Sequence, residues 1–201
     1  KFASKHNTVV NIFPTVLDTE IYKPDTKSKK NIFTIGWIGS PTTAPYLESL
    51  IKPLTELGSE GPVALHVIGG KAPEILNIEI HEIAWSEDTE VENINKFDVG
   101  VMPLVDDEWA KGKCAFKLLQ YMACGLPVVA SKVGANIEVI NPESGFLVSN
   151  DQMWLKSLRL LRDNPNLRNQ LGSFGRARVE QFYSLRSNLP VLAQTIRDLA
   201  I

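Results

Sequence analysis

Lys113, Lys117 and Gln120 are the side chains of this sequence best spaced to act together. They lie in the run 112–131, where an apolar segment gives way to a stretch of helical character that opens near Ala115. The first turn of a helix presents backbone N–H groups without intrahelical partners and about half a positive charge, so a diphosphate placed there is stabilised without a metal. Lys113 and Lys117 add formal charge beside it. Along the helix, Lys117, Gln120, Tyr121 and Cys124 fall at i, i+3, i+4 and i+7, which predicts one largely polar stripe away from a buried face of Phe116, Leu119 and Ala123. Three residues of helix advance about 4.5 Å, roughly the step from a phosphate to the adjoining ribose hydroxyls. Lys117 can then hold phosphate while Gln120 holds ribose. The same pattern also fits solvated lysines and a glutamine with no specific task, and Gly125 and Pro127 are ordinary punctuation between a helix and a strand. Spacing alone leaves both readings open.

The elements that must position these residues are legible from apolar patterning. Runs at 32–38, 63–68, 78–85, 99–104, 127–130 and 145–148 read as short strands, mostly apolar rather than alternating, which predicts burial on both faces. Helical segments separate them, so the expected class is α/β, a three-layer α/β/α sandwich around a parallel sheet. Ligands of such sheets bind outside the carboxyl ends of the strands, here the loops 39–43, 69–72, 85–89, 105–114 and 131–136. Leu47, Leu50, Ile51 and Leu54 predict one buried helical stripe, capped by Thr42 or Thr43 and opened by Pro45. Trp154, Leu155, Leu158 and Leu161 share another face, broken by Asp163-Asn164-Pro165, and two helices run on to the end of the chain. The first thirty residues read as a linker with an edge strand at 9–13.

Composition narrows the classes. A net charge of -2 and a pI near 6.0 remove the broad attraction expected of a nucleic-acid-binding protein. Cys114 and Cys124 fall about 15 Å apart if helical, too far to pair. No metal-like spacing of Cys and His and no apolar run of membrane-spanning length occurs, which makes a reducing cytoplasmic setting the default. The chain opens on Lys1 in what reads as the middle of a protein, and a piece of a longer one is expected. His66 and His81 read as structural residues of strands, Asp106, Asp107 and Glu108 as a solvated acidic loop, and Lys71 as a surface residue.

The run KLLQYMACGLPVVAS, followed by Val133-Gly134 and Glu138-Val139-Ile140, resembles the signature of the C-terminal domain of family 4 glycosyltransferases of the GT-B fold, usually close to LLEAMACGLPVVAS, then VGG and PEVI. The likeness extends to 33–40 as first strand and glycine loop, to 67–70, to 98–104, to the closing helices and to 14–18 as interdomain linker. It implies a Rossmann-like C-terminal half of a GT-B fold. Residues 1–30 would be the linker and edge segment and 31–183 the nucleotide-sugar-binding domain. Residues 184–201 would form a helix, with Leu189, Val191, Leu192, Ile196 and Leu199, that either packs toward an absent N-terminal domain or covers this one.

By the same resemblance, the donor diphosphate is expected at Gly39, Ser40, Thr42, Thr43, Lys113, Ala115, Phe116 and Lys117. The ribose falls to Gln120, the base to Ala84 and Trp85, and the donor sugar to Gly112 and Cys114. Trp85 can equally be core or a loop lid. Two departures stand out. The family carries two glutamates eight positions apart, the first for the sugar and the second for ribose; here they are Gly112 and Gln120. The family's Arg and Lys beyond the glycine loop are replaced by Ser40, Thr42 and Thr43.

The implied activity is transfer of a sugar, with retention, from a nucleoside diphosphate sugar of UDP or GDP type to a hydroxyl acceptor, as in surface polysaccharide or glycolipid biosynthesis. No cofactor and no metal are expected. The sugar or lipid-linked acceptor would bind the N-terminal domain, and no nucleic acid would take part. A cytoplasmic location follows, with peripheral association at the inner face of the membrane left open. No catalytic residue is identifiable in this half, and the domain alone is expected to bind nucleotide without turning it over. Two alternatives stay open: a nucleotide-sugar epimerase or phosphorylase of the same fold, and a binding module that has lost catalysis.

Overall fold

The computed structural model describes residues 3–8, 10–25 and 32–199. The apolar runs become β1 (Phe33–Ile38), β2 (Val63–Ile68), β3 (Glu79–Ile83), β4 (Val99–Met102), β5 (Val128–Ser131) and β6 (Gly145–Val148). They form one sheet in the order β3-β2-β1-β4-β5-β6, with every neighbouring pair parallel. The chain winds outward from β1 in one direction and from β4 in the other, so a crevice opens at their carboxyl ends. This is the expected Rossmann-like α/β class.

Each face of the sheet has its own apolar layer. On one, Ile35, Trp37, Leu65, Val67, Val99 and Val101 meet α1 (Ile51–Ser59) and α6 (Asp151–Asp163). On the other, Ile38, Ile68, Met102, Val128 and Ala130 meet α2 (Glu87–Ile94), α4 (Phe116–Ala123), α5 (Asn136–Val139) and α7 (Pro165–Phe182). A short α3 (Glu108–Lys111) precedes α4, and α8 (Leu185–Leu199) follows α7. Gly36 and Gly100 are register partners in β1 and β4. A Cβ on Gly36 would stand 1.9 Å from the Phe97 ring, and one on Gly100 would stand 2.2 Å from the Tyr121 ring. The two glycines let these buried aromatic rings lie flat on the sheet.

Asn150 and Asn164 cap α6 and α7, accepting the N–H of Met153 at 2.9 Å and of Leu167 at 3.1 Å. The predicted break at 163–165 is therefore a stop and a restart. Arg176 on α7 donates to the carbonyls of Tyr22, of Ala123 (2.6 Å) and of Thr19 (2.9 Å). It pins residues 19–22 against the end of α4.

Several expectations are corrected. Residues 44–50 form a 3-10 helix before α1, and neither Thr42 nor Thr43 makes a side-chain cap; the Thr43 hydroxyl donates to the Ser40 carbonyl at 3.1 Å. The tighter winding changes the phase of the stripe: Leu47, Leu50, Leu54 and Leu57 are buried, while Ile51 turns outward. Of the edge strand expected at 9–13, Val9 lies outside the described residues and the rest join no ladder. The segment meets the fold at Leu17, which pairs with Ser184 in an isolated parallel bridge. β3 is an exposed edge rather than a doubly buried strand, and His81 there accompanies Glu79 at 2.7 Å. On α8, Leu189, Val191, Leu192 and Ile196 stay exposed, so this face does not cover the sheet domain; the side chain of Leu199 lies outside the described residues. Among the described residues no helix is long and apolar enough to cross a membrane.

Candidate functional site

The crevice is built by holding two glycine loops still. At the end of β1 the Ile38 N–H donates to the Tyr121 phenol oxygen at 2.9 Å, so α4 grips the strand where it stops. Gly39 N–H then donates to the Ile68 carbonyl at 3.0 Å, and Gly69 N–H to the Ile83 carbonyl at 2.9 Å, each loop tied to the next strand. Gly69 has φ +75°, and a Cβ there would stand 2.5 Å from the Gly39 carbonyl oxygen. Only glycine allows both that backbone and that approach. Facing the loops, Ala115 takes a left-handed conformation, φ 58°, and turns the chain into α4 one residue later than the opening expected near Ala115.

Lys117 crosses this crevice. Its ammonium lies 4.3 Å from the centre of the Trp37 ring and donates to Thr43 Oγ1 at 3.2 Å, and a side chain at Gly39 would collide with it. No carboxylate among the described residues pairs with it. Burial, with Lys113 nearby adding a smaller push, lowers its pKa to about 8. A desolvated cation without a counter-ion, at the start of a helix, is a receptor for an anion. The adjoining cavity of about 470 Å³ is lined by Gly39, Ser40, Trp85, Phe116, Lys117 and Gln120 among others.

The expected polar stripe of α4 does not face solvent. Tyr121 and Cys124 are buried, and Gln120 is 4% exposed, whereas Phe116, expected in the core, lines the cavity. α7 and the segment 17–24 cover the side of α4 that periodicity assigns to water. Gln120 is instead part of a network invisible in the spacing. Its amide nitrogen donates to Glu90 Oε1 at 2.7 Å and to the Tyr22 hydroxyl at 3.2 Å. Tyr22 in turn donates to Glu90 Oε1, and the Trp85 indole N–H donates to Glu90 Oε2. Burial and the adjacent Glu90 carboxylate push the Tyr22 phenol up to about 12. Glu90, itself buried, looks in sequence like any acid in the first turn of a helix, and Tyr22 like a linker residue.

The remaining expected residues divide between neighbouring cavities. One of about 330 Å³ is lined by Ser40, Thr43, Tyr46, Gly112, Lys113, Cys114, Ala115 and Lys117. There the Lys113 ammonium lies 5.4 Å from the Tyr46 ring centre and 5.7 Å from that of Trp109. Gly112 ends α3 and is exposed, with nothing nearer than 3.4 Å to an added Cβ. A third cavity, about 690 Å³, carries Ala84 and Lys71 and shares Pro41 and Gly69 with the first. Ala84 and Trp85 thus face different cavities. Thr42 lines none of these three; its hydroxyl lies 2.8 Å from that of Ser40. Asp107 caps α3, and Asp106 and Glu108 pair with Lys111. Among the described residues no group of three or more His, Cys, Asp or Glu could hold a metal ion.

A doubly wound parallel sheet whose switch-point crevice presents a part-buried lysine without a carboxylate partner among the described residues defines a class: α/β domains of Rossmann-like fold. The chain belongs to the glycosyl transferases group 1 family, whose model matches residues 30–163. A search of curated proteins finds no match. Similar solved structures include a glycosyltransferase from Rickettsia africae, with TM-score 0.76 and 14% identity, covering 92% of this chain and 56% of that one. HepE of Anabaena in complex with UDP and glucose has TM-score 0.69 and 16% identity, covering 90% and 55%. The C-terminal domain of LpcC, a glycosyl transferase group 1 family protein of Francisella tularensis, has TM-score 0.64 and 19% identity, covering 84% and 99%. The chain spans little more than half the length of the first two.

Proposed function

We propose that this chain is the C-terminal, nucleotide-sugar-binding domain of a family 4, GT-B glycosyltransferase. The observation that carries the reading is Lys117, a desolvated ammonium without a carboxylate partner, set between two glycine loops and the start of a helix. The HepE structure, solved with UDP and glucose, supports a nucleoside diphosphate sugar as the donor. In this reading Lys117, the backbone amides after Ala115 and the loop at Gly39, Ser40 and Thr43 hold the diphosphate, and Gln120 meets the ribose. The base lies toward Trp85 and Ala84, and the sugar extends into the cavity of Gly112, Lys113 and Cys114.

Charge builds on the diphosphate as the bond to the sugar breaks. Preorganised donors aimed at that charge lower the barrier, and the reading assigns this role to the lysines and amides rather than to a metal. Transfer proceeds with retention to a hydroxyl acceptor held by a separate N-terminal domain. Residues 1–30 form the linker, 31–183 the donor domain, and the exposed apolar face of α8 meets the partner domain. A role in surface polysaccharide or glycolipid assembly at the cytoplasmic face of a membrane fits this chemistry.

The test is thermal unfolding of the 201-residue chain with UDP, GDP, ADP and their sugars. A ligand that binds only the folded state raises the midpoint according to its concentration and affinity, and UDP or GDP should do so. No shift with any of them would overturn the reading, as would robust sugar transfer by this chain alone.

A further inference from the structure

The buried Glu90 is the part of the site that the family signature does not account for. Its carboxylate sits on α2, thirty residues before Gln120, and lines the same 470 Å³ cavity as Lys117. It receives hydrogen bonds from three separate parts of the chain: Tyr22 before the sheet, Trp85 after β3 and Gln120 on α4. All three donors are neutral. A carboxylate held this firmly and left in contact with a cavity is set up to accept further hydrogen bonds from a ligand.

Counting donors and acceptors shows what it can take. Two carboxylate oxygens offer about four lone-pair sites. Oε1 already receives the Tyr22 hydroxyl and the Gln120 amide, while Oε2 receives only the Trp85 indole. One site on Oε2 remains. The carboxylate also decides the orientation of the Gln120 amide, because a carboxylate accepts and only the NH₂ end can donate to it. Both amide hydrogens are engaged, and among the described residues none donates to Gln120 Oε1. Two residues of one cavity wall, themselves joined by a hydrogen bond, therefore each keep acceptor capacity that their own hydrogen bonds do not use. The partner they fit is a pair of adjacent hydroxyls.

We infer that Glu90 and Gln120 together bind the vicinal diol of the ribose, with Glu90 supplying the carboxylate that the signature usually places at position 120. This rests on the nucleotide-sugar reading above and deepens it. In this reading the negative charge sits on α2 rather than on α4, and Gln120 supplies the amide donor that Glu90 accepts. A glutamate at 120 would set two carboxylates against each other.

The experiment is calorimetric titration of the chain and of Glu90→Gln with UDP, GDP, their 2′,3′-dideoxy counterparts and inorganic pyrophosphate. The wild-type chain should bind the preferred ribonucleotide at least about tenfold more tightly than its dideoxy counterpart, the range of a hydrogen bond to a charged group. Glu90→Gln should lower ribonucleotide affinity to near the dideoxy level and leave dideoxy nucleotide and pyrophosphate within about threefold. Unchanged ribo-over-dideoxy discrimination in Glu90→Gln would overturn the inference while leaving the nucleotide reading intact. If neither ribonucleotide nor pyrophosphate binds the wild-type chain, the nucleotide reading fails and this one with it. Should Glu90→Gln not fold, the Trp85 indole N–H resonance of the wild-type chain decides. It must move differently with ribo and dideoxy nucleotide, because only the former adds a hydrogen bond to the same carboxylate oxygen, and identical shifts refute the assignment.

Discussion

Replacing Lys117 by methionine should stabilise the empty chain and weaken its hold on diphosphate at the same time. The site lowers the Lys117 pKa from 10.5 to about 8, so keeping the ammonium charged there at neutral pH costs on the order of 3 kcal/mol. Methionine retains an apolar stem against Trp37 without that charge. The variant should gain about 1–3 kcal/mol of unfolding free energy at pH 7, the upper limit being the whole desolvation cost. The sign follows from proton counting. Between pH 8 and 10.5 the unfolded lysine holds its proton while the folded one has lost it, so the unfolded state binds more protons and wild-type stability rises with pH across that window. The methionine variant lacks the rise.

Binding runs the other way, because an anion needs the protonated lysine. Wild-type affinity for pyrophosphate should fall by about tenfold per pH unit above pH 8 as Lys117 deprotonates. The variant should bind about 10- to 100-fold more weakly at pH 7, the worth of one charge-assisted hydrogen bond, and lose the part of the pH dependence that belongs to Lys117. Urea unfolding at several pH values and calorimetry with pyrophosphate measure both. A variant less stable than wild type at pH 7 that binds pyrophosphate equally well would refute the account of Lys117 as a strained, uncompensated anion receptor.

Two further outcomes test the frame that holds the site. Gly36→Ala would place a Cβ 1.9 Å from the buried Phe97 ring, an overpacking expected to cost about 1–3 kcal/mol. Phe97→Leu in the same chain should recover part of that loss, and denaturant midpoints that do not move would show the ring is free to shift. Arg176→Met removes donors to the carbonyls of Tyr22, Ala123 and Thr19 and should cost about 2–4 kcal/mol, since charged hydrogen bonds are lost and carbonyls are left bare. Limited proteolysis should then cut sooner within 19–25, and an unchanged digestion pattern would contradict the pinning role.

Much of the architecture was written locally. The strand Val63–Ile68 announces itself because a strand largely buried on both faces needs a mostly apolar run, interrupted here only by His66. The restart at Asn164 follows from a side-chain oxygen next to unpaired N–H groups. Lys117 was singled out for the same reason, its place in the first turn of a helix after a strand. Local rules failed for two reasons, a change of helical winding and neighbours far away in the chain. Ile51 turned outward because the preceding turn wound as a 3-10 helix, and the supposed polar stripe of α4 was buried by α7 and the segment 17–24.

The sequence by itself determined the α/β class, the loops at the carboxyl ends of the strands and the start of the helix that faces them, since periodicity and helix-end chemistry act over a few residues. Only the tertiary structure decided that Lys117 lies over Trp37 and that Glu90, Gln120, Tyr22 and Trp85 share one hydrogen-bonded cluster. Tyr22 and Gln120 stand 98 positions apart, and no local pattern encodes which distant side chains the ends of a sheet will bring within hydrogen-bonding distance of one another. Burial then turns that proximity into a function, because a charge or carboxylate removed from water must be answered by whatever polar group, protein or ligand, can reach it.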